Sequence, residues 1–360
     1  MDATQTHDFR SAGPHHAANY LVRAAVLAPS LHNSQPWLFT GDATGLDLYA
    51  DPTRRLTLSD PDARELFISC GAALFNVRLA MRHLGFVPVV RLLPHASNPA
   101  HLAHVDWGPH EVASEATELM HRSLRVRHTH RGPFSASPLP PPLIDELRRQ
   151  AHAEGADLRV VESGRQRARI AELVREAETI HRRDPGRRTE LLQWSQEFHG
   201  SRLDGVPLAT CTYHPDCVTL AGRDFLGLTF TLPAPPEVWR SRTGLVAVLT
   251  TRRDTRTEWL QAGQALQRVL LHATAYGSAA AFHTQPLELP RLRSEVRAAL
   301  WFGPFPQMIL RLGHAPHGAP TPRRPVADVL RARSGREPHV SLARRADKPA
   351  ITNGLARGEG

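Results

Sequence analysis

Lysine is all but missing from this 360-residue chain: Lys348 is the only one, so the basic side chains are almost entirely arginine. That bias points to genome composition more than to selection for phosphate-backbone binding. It weakens the nucleic-acid reading that a net charge of +9 and a pI near 10.5 invite. Part of the excess also sits in one segment, where Arg331, Arg333, Arg336, Arg344, Arg345, Lys348 and Arg357 face only Glu337, Asp347 and Glu359. Poor in large apolar residues, 331–360 is expected to be a disordered basic tail. No nucleic-acid partner is expected for the folded part.

Cysteine is scarce too. Cys70, Cys211 and Cys217 are too few and too unevenly spaced for a disulfide scaffold, so reduced thiols are expected. No window approaches the roughly 18 apolar residues of a membrane helix. The first residues lack a positive start followed by an apolar core, so residues 1–14 read as a flexible N-terminus of a cytoplasmic protein with no membrane partner. Gly-x-Ser-x-Gly, Gly-x-Gly-x-x-Gly and Walker patterns are absent, which argues against hydrolase, Rossmann and P-loop chemistry.

What is present is an internal repeat. Gly71-Ala72-Ala73-Leu74, followed by Gly85, has the spacing of Gly263-Gln264-Ala265-Leu266 followed by Gly277. Each stretch reads as a long helix. Leu66, Cys70, Leu74, Val77, Met81 and Leu84 form an apolar stripe in the first, opened by Asp60 as N-cap with Pro61 at the first helical position. Leu266, Val269, Leu270 and Ala273 form the stripe of the second. A strand-like run and an arginine turn precede each: Leu46–Ala50 with Arg54-Arg55, and Leu245–Thr250 with Arg252-Arg253. Two unrelated amphipathic helices would explain the helices alone; strand, turn and helix together favour a duplication with a period of about 192 residues.

The expected organisation is a first half over 15–109 and a second over 110–330, a pseudo-dimer in one chain. The second is longer mainly through 161–240, an insert with Asp184-Pro185-Gly186 and Leu232-Pro233-Ala234-Pro235-Pro236 that reads as an irregular lid. Further strand-like runs at Val87–Leu93, Leu158–Val161, Phe225–Leu232 and Met308–Leu312 give an α+β, mixed α/β class.

Three patches can carry chemistry. A helix over His16–Leu27 ends before Pro29, and Ala28–Trp37 packs Ser30, His32, Asn33, Ser34 and Gln35 into the following turn. Two readings stand equally: a loop that grips a planar heteroaromatic ring, or a capped turn leading to a core tryptophan. In Arg127-His128-Thr129-His130-Arg131, an extended backbone turns Arg127, Thr129 and Arg131 to one side. That makes a cationic cup suited to phosphate, although a pair of arginines is more often a solvated basic turn. Thr321-Pro322-Arg323-Arg324-Pro325 adds two arginines on a stiffened segment. Cys211-Thr212-Tyr213-His214-Pro215-Asp216-Cys217 lacks the paired ligands of a zinc site and reads as a turn of the lid, as does Leu203-Asp204-Gly205-Val206-Pro207.

Taken together the patches resemble the nitroreductase superfamily, in particular its two-domain Acg-type branch. Ala28–Trp37 is similar to the family's flavin-contacting motif, with Ser30, Asn33, Gln35 and Trp37 at matching positions. Arg127-x-Thr129-x-Arg131-x-x-Phe134 is similar to the element that holds the FMN phosphate, though His128 and His130 depart from the branch pattern. Arg323-Arg324 stands where the family carries a C-terminal basic pair. His283–Glu288 is similar to the loop whose backbone faces the ring, which implicates Gln285 and Leu287. The 203–207 turn is similar to a loop near the flavin face.

The resemblance spans about residues 15–330 and implies the FMN-dependent nitroreductase fold. In the single-domain relatives both motifs occur in each chain and FMN sits between two subunits. Here the first motif lies only in the first half and the second only in the second, which implies one complete FMN site per chain. The activity so implied is NAD(P)H oxidation with hydride transfer through FMN N5 to a nitroaromatic, quinone or similar small-molecule electron acceptor, with NADH or NADPH as donor. The flavin carries the chemistry, so no catalytic side chain and no metal is expected. A flavin-sequestering protein without turnover needs the same residues and stays open. So does the oligomeric state, a monomeric pseudo-dimer or a weak homodimer.

Overall fold

A computed structural model of the chain describes residues 14–41, 44–196, 202–227, 233–300, 303–315 and 320–332. Helix α1 (Pro14–Ala25) opens it, of the expected length but starting and ending two residues earlier than the expected span. It unwinds before Pro29, with Leu27 and Ala28 N–H donating to the Ala24 and Ala25 carbonyls in a tightening last turn. Strands β1 (Trp37–Gly41) and β2 (Gly45–Ala50), helix α2 (Arg64–His83), and strands β3 (Phe86–Leu92) and β4 (His101–His110) follow.

The second half repeats this order. Helix α4 (Pro141–His152) precedes β5 (Asp157–Val160); β8 (Leu245–Thr251), α7 (Arg256–Ala275), β9 (Ala279–Phe282), α8 (Pro290–Ala299) and β10 (Phe305–Gly313) follow an intervening insert. The sheets run β1-β2-β4-β3 and β5-β8-β10-β9, each with the strands in the order first, second, fourth, third and all those neighbours antiparallel. Both long helices have 20 residues, starting at 64 and 256 and ending at 83 and 275, which is the 192-residue offset of the glycine repeat.

The two helices pack against each other at the seam. Helix α2 is buried around nearly its whole circumference, by its own sheet on one side and α7 on the other. Its start differs from the expected cap. Ala63, at φ 60°, holds the N-cap position, while Asp60 reaches forward from outside the helix. The Asp60 carboxylate accepts from Glu65 N–H at 3.0 Å and Leu66 N–H at 2.8 Å. Burial nonetheless pushes that carboxyl up to about 6.

The insert is more regular than expected. It holds helix α5 (Gly164–Arg183) and α6 (Pro185–Gln193), and Asp184-Pro185 is an N-cap followed by a first-turn proline. Ile170, Leu173 and Val174 of α5 pack with Leu292, Val296 and Ile309 into a core of their own. A two-residue pairing of β6 (Ser195–Gln196) with β7 (Val206–Pro207) closes the loop that follows. No strand forms at 225–227, where Phe225 N–H bonds to the Arg223 carbonyl in a tight turn; the rest of that expected strand lies outside the described residues.

Two segments cross between halves. Helix α3 (Glu115–Ser123) lies past the sequence boundary near 110, yet Met120 and Leu124 pack into the first core. Helix α9 (Val326–Val329) leads into β11 (Leu330–Ala332), which lies parallel to β1 with Phe39 opposite Leu330. Arg331 and Ala332 therefore belong to a sheet rather than to a disordered tail, because β1 offers them its open edge. Residues 333–360 and 1–13 lie outside the described residues. Among those described, no helix is long and apolar enough to cross a membrane.

Candidate functional site

The turn after α1 is wound against steric preference. His32, Asn33 and Gln35 have φ of 51°, 55° and 51°, a region that costs non-glycine residues about 1–3 kcal/mol each. Local bonds hold it: Ser30 Oγ accepts Gln35 N–H at 2.9 Å, and Asn33 N–H donates to the Ser30 carbonyl at 3.0 Å. The Asn33 amide donates to the Gly205 carbonyl at 2.9 Å and the Pro322 carbonyl at 3.0 Å, while its oxygen accepts from Arg323 at 3.0 Å. Gly205 N–H returns a bond to the Asn33 carbonyl. One asparagine thus joins the first half, the insert and the C-terminal segment.

The cup forms by strand addition. Thr129 pairs in parallel with Ala280, and His130 N–H donates to the Ala280 carbonyl at 2.8 Å, so the segment extends the sheet past β9. Extended backbone turns Arg127, Thr129 and Arg131 into one cleft, where Arg323 arrives from the C-terminal segment. His128 is turned away, its Nδ1 on the Val126 carbonyl at 2.9 Å.

These arginines meet no counter-charge among the described residues. Burial pushes Arg127 down to about 10. Burial, then repulsion by Arg127 and Arg131, pushes Arg323 down to about 9, still cationic at neutral pH. Burial lowers Arg131 as well, and among the described residues no carboxylate acts on any of the three. Arg127 Nε and Arg323 Nε are buried without a partner among the described residues. Desolvated cations cost several kcal/mol each unless an anion meets them, and the guanidinium fork suits phosphate oxygens. The cradle therefore fits a phosphate group.

The cleft runs along the helix seam, floored by Glu65, Ile68 and Ser69 of α2 and Leu266 of α7. The insert supplies the opposite wall, including Val206, Cys211, Tyr213, Cys217, Val218 and Phe225. His32 meets Phe225 edge-on at 5.7 Å, and burial keeps its imidazole well below the usual histidine range, hence neutral. Burial pushes the Glu65 carboxyl up to about 7, against the pull of Arg64.

Of the residues singled out in the sequence, Ser30, His32, Asn33, Arg127, Thr129, Arg131, Gln285 and Arg323 line this cleft. Ser34, Gln35, Leu287 and Arg324 do not. Gln35 instead donates to the Leu203 carbonyl at 2.8 Å and accepts from Arg324 N–H at 2.8 Å. Ser34 offers its carbonyl to Arg54. Leu287 is core, and its N–H is already spent on the Thr284 carbonyl at 2.8 Å. The Arg324 guanidinium donates to the Gln35 and Asp328 carbonyls and lies 3.7 Å from Asp51, splinting the chain outside the cleft. Trp37 is core as well.

Several lining residues escaped the sequence reading. Arg311 left a trace, a charge inside the apolar run Met308–Leu312. Cys211 and Cys217 line an apolar wall, and among the described residues no group of three or more histidine, cysteine or acidic side chains is placed to hold a metal.

Fold and cleft define a two-halved mixed α/β protein with a cationic cleft at its seam. Models of known protein families find no match in the chain. A Mycobacterium tuberculosis (strain H37Rv) protein named "Putative NAD(P)H nitroreductase" is 36% identical over 316 residues, covering 86% of this chain and 90% of the relative. Another from that strain, whose name adds acg, is 32% identical over 319 residues, covering 87% and 95%. The chain belongs to the NAD(P)H nitroreductase family and stands with its acg-like members. The crystal structure of the FMN-dependent nitroreductase NfnB from Mycobacterium smegmatis, in complex with NADPH, aligns with 60% of this chain and 99% of its own at 19% identity and a TM-score of 0.38.

Proposed function

We propose that the chain is an FMN-dependent NAD(P)H oxidoreductase that reduces a nitroaromatic, quinone or similar planar acceptor. The observation that carries this is the set Arg127, Arg131 and Arg323: one buried and two half-buried cations that meet no carboxylate among the described residues, at a cleft walled by both halves. In this reading they hold the phosphate of FMN. Thr129 adds a hydroxyl, and Ser30, His32 and Asn33 border the ring or ribityl chain. Bound FMN supplies a carrier that takes a hydride from NAD(P)H and passes it on. The protein's part is to orient the ring, to keep His32 neutral beside it, and to exclude water with the apolar wall of the insert.

A second reading, flavin sequestration without turnover, has its own support in how firmly the insert is fastened. Asn33 holds Gly205, Gln35 holds Leu203, Arg54 pairs with Asp204, and the Glu190 carboxylate takes Leu58 and Ser59 N–H at 3.0 and 2.8 Å. One experiment tests both. A purified protein that stays colourless and takes up no added FMN defeats the two readings together. If it binds FMN, anaerobic NADPH decides: bleaching of the flavin spectrum marks the oxidoreductase, and persistent colour the sequestering protein.

A further inference from the structure

Arg311 is 2% exposed on β10 and has no carboxylate partner among the described residues. Its three nitrogens reach three different segments. Nε donates to His283 Nε2 at 2.8 Å, Nη1 to the Thr243 carbonyl at 2.9 Å, and Nη2 to the Gly132 carbonyl at 3.3 Å. The guanidinium also lies over the Phe134 ring at 5.0 Å. Gly132 directly follows Arg131 of the cup. The Tyr213 ring of the insert presses on it from the other side, so that a Cβ there would stand 2.4 Å from a ring carbon.

His283 continues the chain of bonds. With Nε2 accepting from Arg311, its proton sits on Nδ1, which donates to the Ala221 carbonyl of the insert at 2.9 Å. Gln285 adds a second donor to that carbonyl at 3.2 Å. Burial, then the nearby Arg311 charge, pushes His283 down to about 3, so this neutral tautomer persists across the working range. A continuous path therefore runs from the insert through Ala221, His283 and Arg311 to Gly132 and the cup.

We propose that Arg311 and His283 are positioning residues that couple the cup to the lid, so that an anion seated on Arg127, Arg131 and Arg323 holds the 202–227 segment closed. The inference rests on the flavin reading of the cleft. An anion drawing Arg131 inward fixes the Gly132 peptide, and with it the Arg311 fork, the His283 ring and the Ala221 carbonyl. Three donors in fixed directions are needed, which only a guanidinium provides.

The test reads thermolysin cleavage within 202–227 by mass spectrometry, with and without saturating FMN, after FMN affinity has been measured by fluorescence quenching. In the wild-type chain FMN should slow cleavage at least tenfold. In Arg311→Met, with FMN raised to saturate the variant at its own measured affinity, the protection should fall below twofold. Arg311→Lys separates position from charge: a lysine keeps the charge, but its three donors sit on one nitrogen and cannot span acceptors reached from three separate nitrogens, so it should behave like the methionine variant. His283→Asn is the milder probe. Its amide NH2 can replace Nδ1 as donor toward Ala221, but its oxygen lies too close to the backbone to take the place of Nε2 as acceptor for Arg311, so protection should again be lost.

Wild-type protection in any of these variants overturns the coupling. A folded Arg311→Met chain that binds no FMN at millimolar concentration overturns it too, since Arg311 would then be a direct ligand. Absence of FMN binding in the wild-type chain instead defeats the flavin reading and the inference with it.

Discussion

Gly71 and Gly263 face each other where the two long helices cross. A Cβ on Gly71 would stand 2.2 Å from the Leu260 carbonyl oxygen and 3.1 Å from Gly263 Cα; one on Gly263 would stand 2.0 Å from the Ile68 carbonyl oxygen. The contact is reciprocal, each glycine meeting the carbonyl three residues before the other. That is the signature of a two-fold relation between halves of one chain. The floor of the cleft is built on this crossing.

Alanine at either glycine should force the helices apart. Overpacking of this kind costs roughly 1–3 kcal/mol, so Gly263→Ala should lower the melting temperature by several degrees and loosen FMN binding as the floor shifts. Thermal melting followed by circular dichroism measures it. A variant that melts with the wild type would show that the helices do not approach this closely.

The cup and its neighbour should part company under mutation. Loss of one charge-assisted bond costs about 1.5–3 kcal/mol, so Arg127→Ala, Arg131→Ala and Arg323→Ala should each weaken FMN by roughly ten- to a hundredfold. Arg324→Ala should leave the affinity within about threefold, because that guanidinium serves Gln35 and Asp328 outside the cleft. Fluorescence titration compares the four. Equal losses at 323 and 324 would show that the phosphate site is misassigned.

Asn33 is bonded to Gly205, Pro322 and Arg323, so Asn33→Ala strands buried partners at about 1–3 kcal/mol for each group left unsatisfied. Faster proteolysis within 202–227 of the FMN-free protein is the expected readout. Unchanged cleavage would mean that the other fastenings hold the insert without it.

Acid should destabilise the fold through His121. Its ring stacks on His83 at 3.7 Å beside Glu118, Arg125 and Tyr20, and burial, then His83, pushes it down to about 4 from 6.5. The folded state thus holds this histidine neutral. Its contribution is complete above pH 6.5 and is lost as pH falls toward 4, where the unfolded chain binds the proton more readily. Melting temperatures between pH 7 and 4.5 should fall less steeply in His121→Gln; equal slopes would refute the assignment.

What the sequence disclosed was what neighbours along the chain decide. The 20-residue helices, the glycines that close them and the alternation in Arg127-Thr129-Arg131 depend on residues a few positions apart. Where a side chain points after the chain turns back on itself is another matter. Gln35 and Arg324 match a flavin motif in spacing, yet their partners lie 168 and 289 residues away and draw them out of the cleft. Arg311 shows the same limit, since its carbonyl acceptors come from 68 and 179 residues off. The insert looked irregular from its prolines, one of which starts a helix. Its lining of the cleft follows from packing that no local pattern encodes.

Strand β11 brings the end of the described chain back to the edge of β1, with Leu330 beside Phe39. The walls of the cleft are thus covalently tied, meeting at an effective concentration fixed by the connecting chain and of millimolar order for short flexible links. Dilution cannot part walls joined in this way, so the two halves of the cleft stay together down to nanomolar protein.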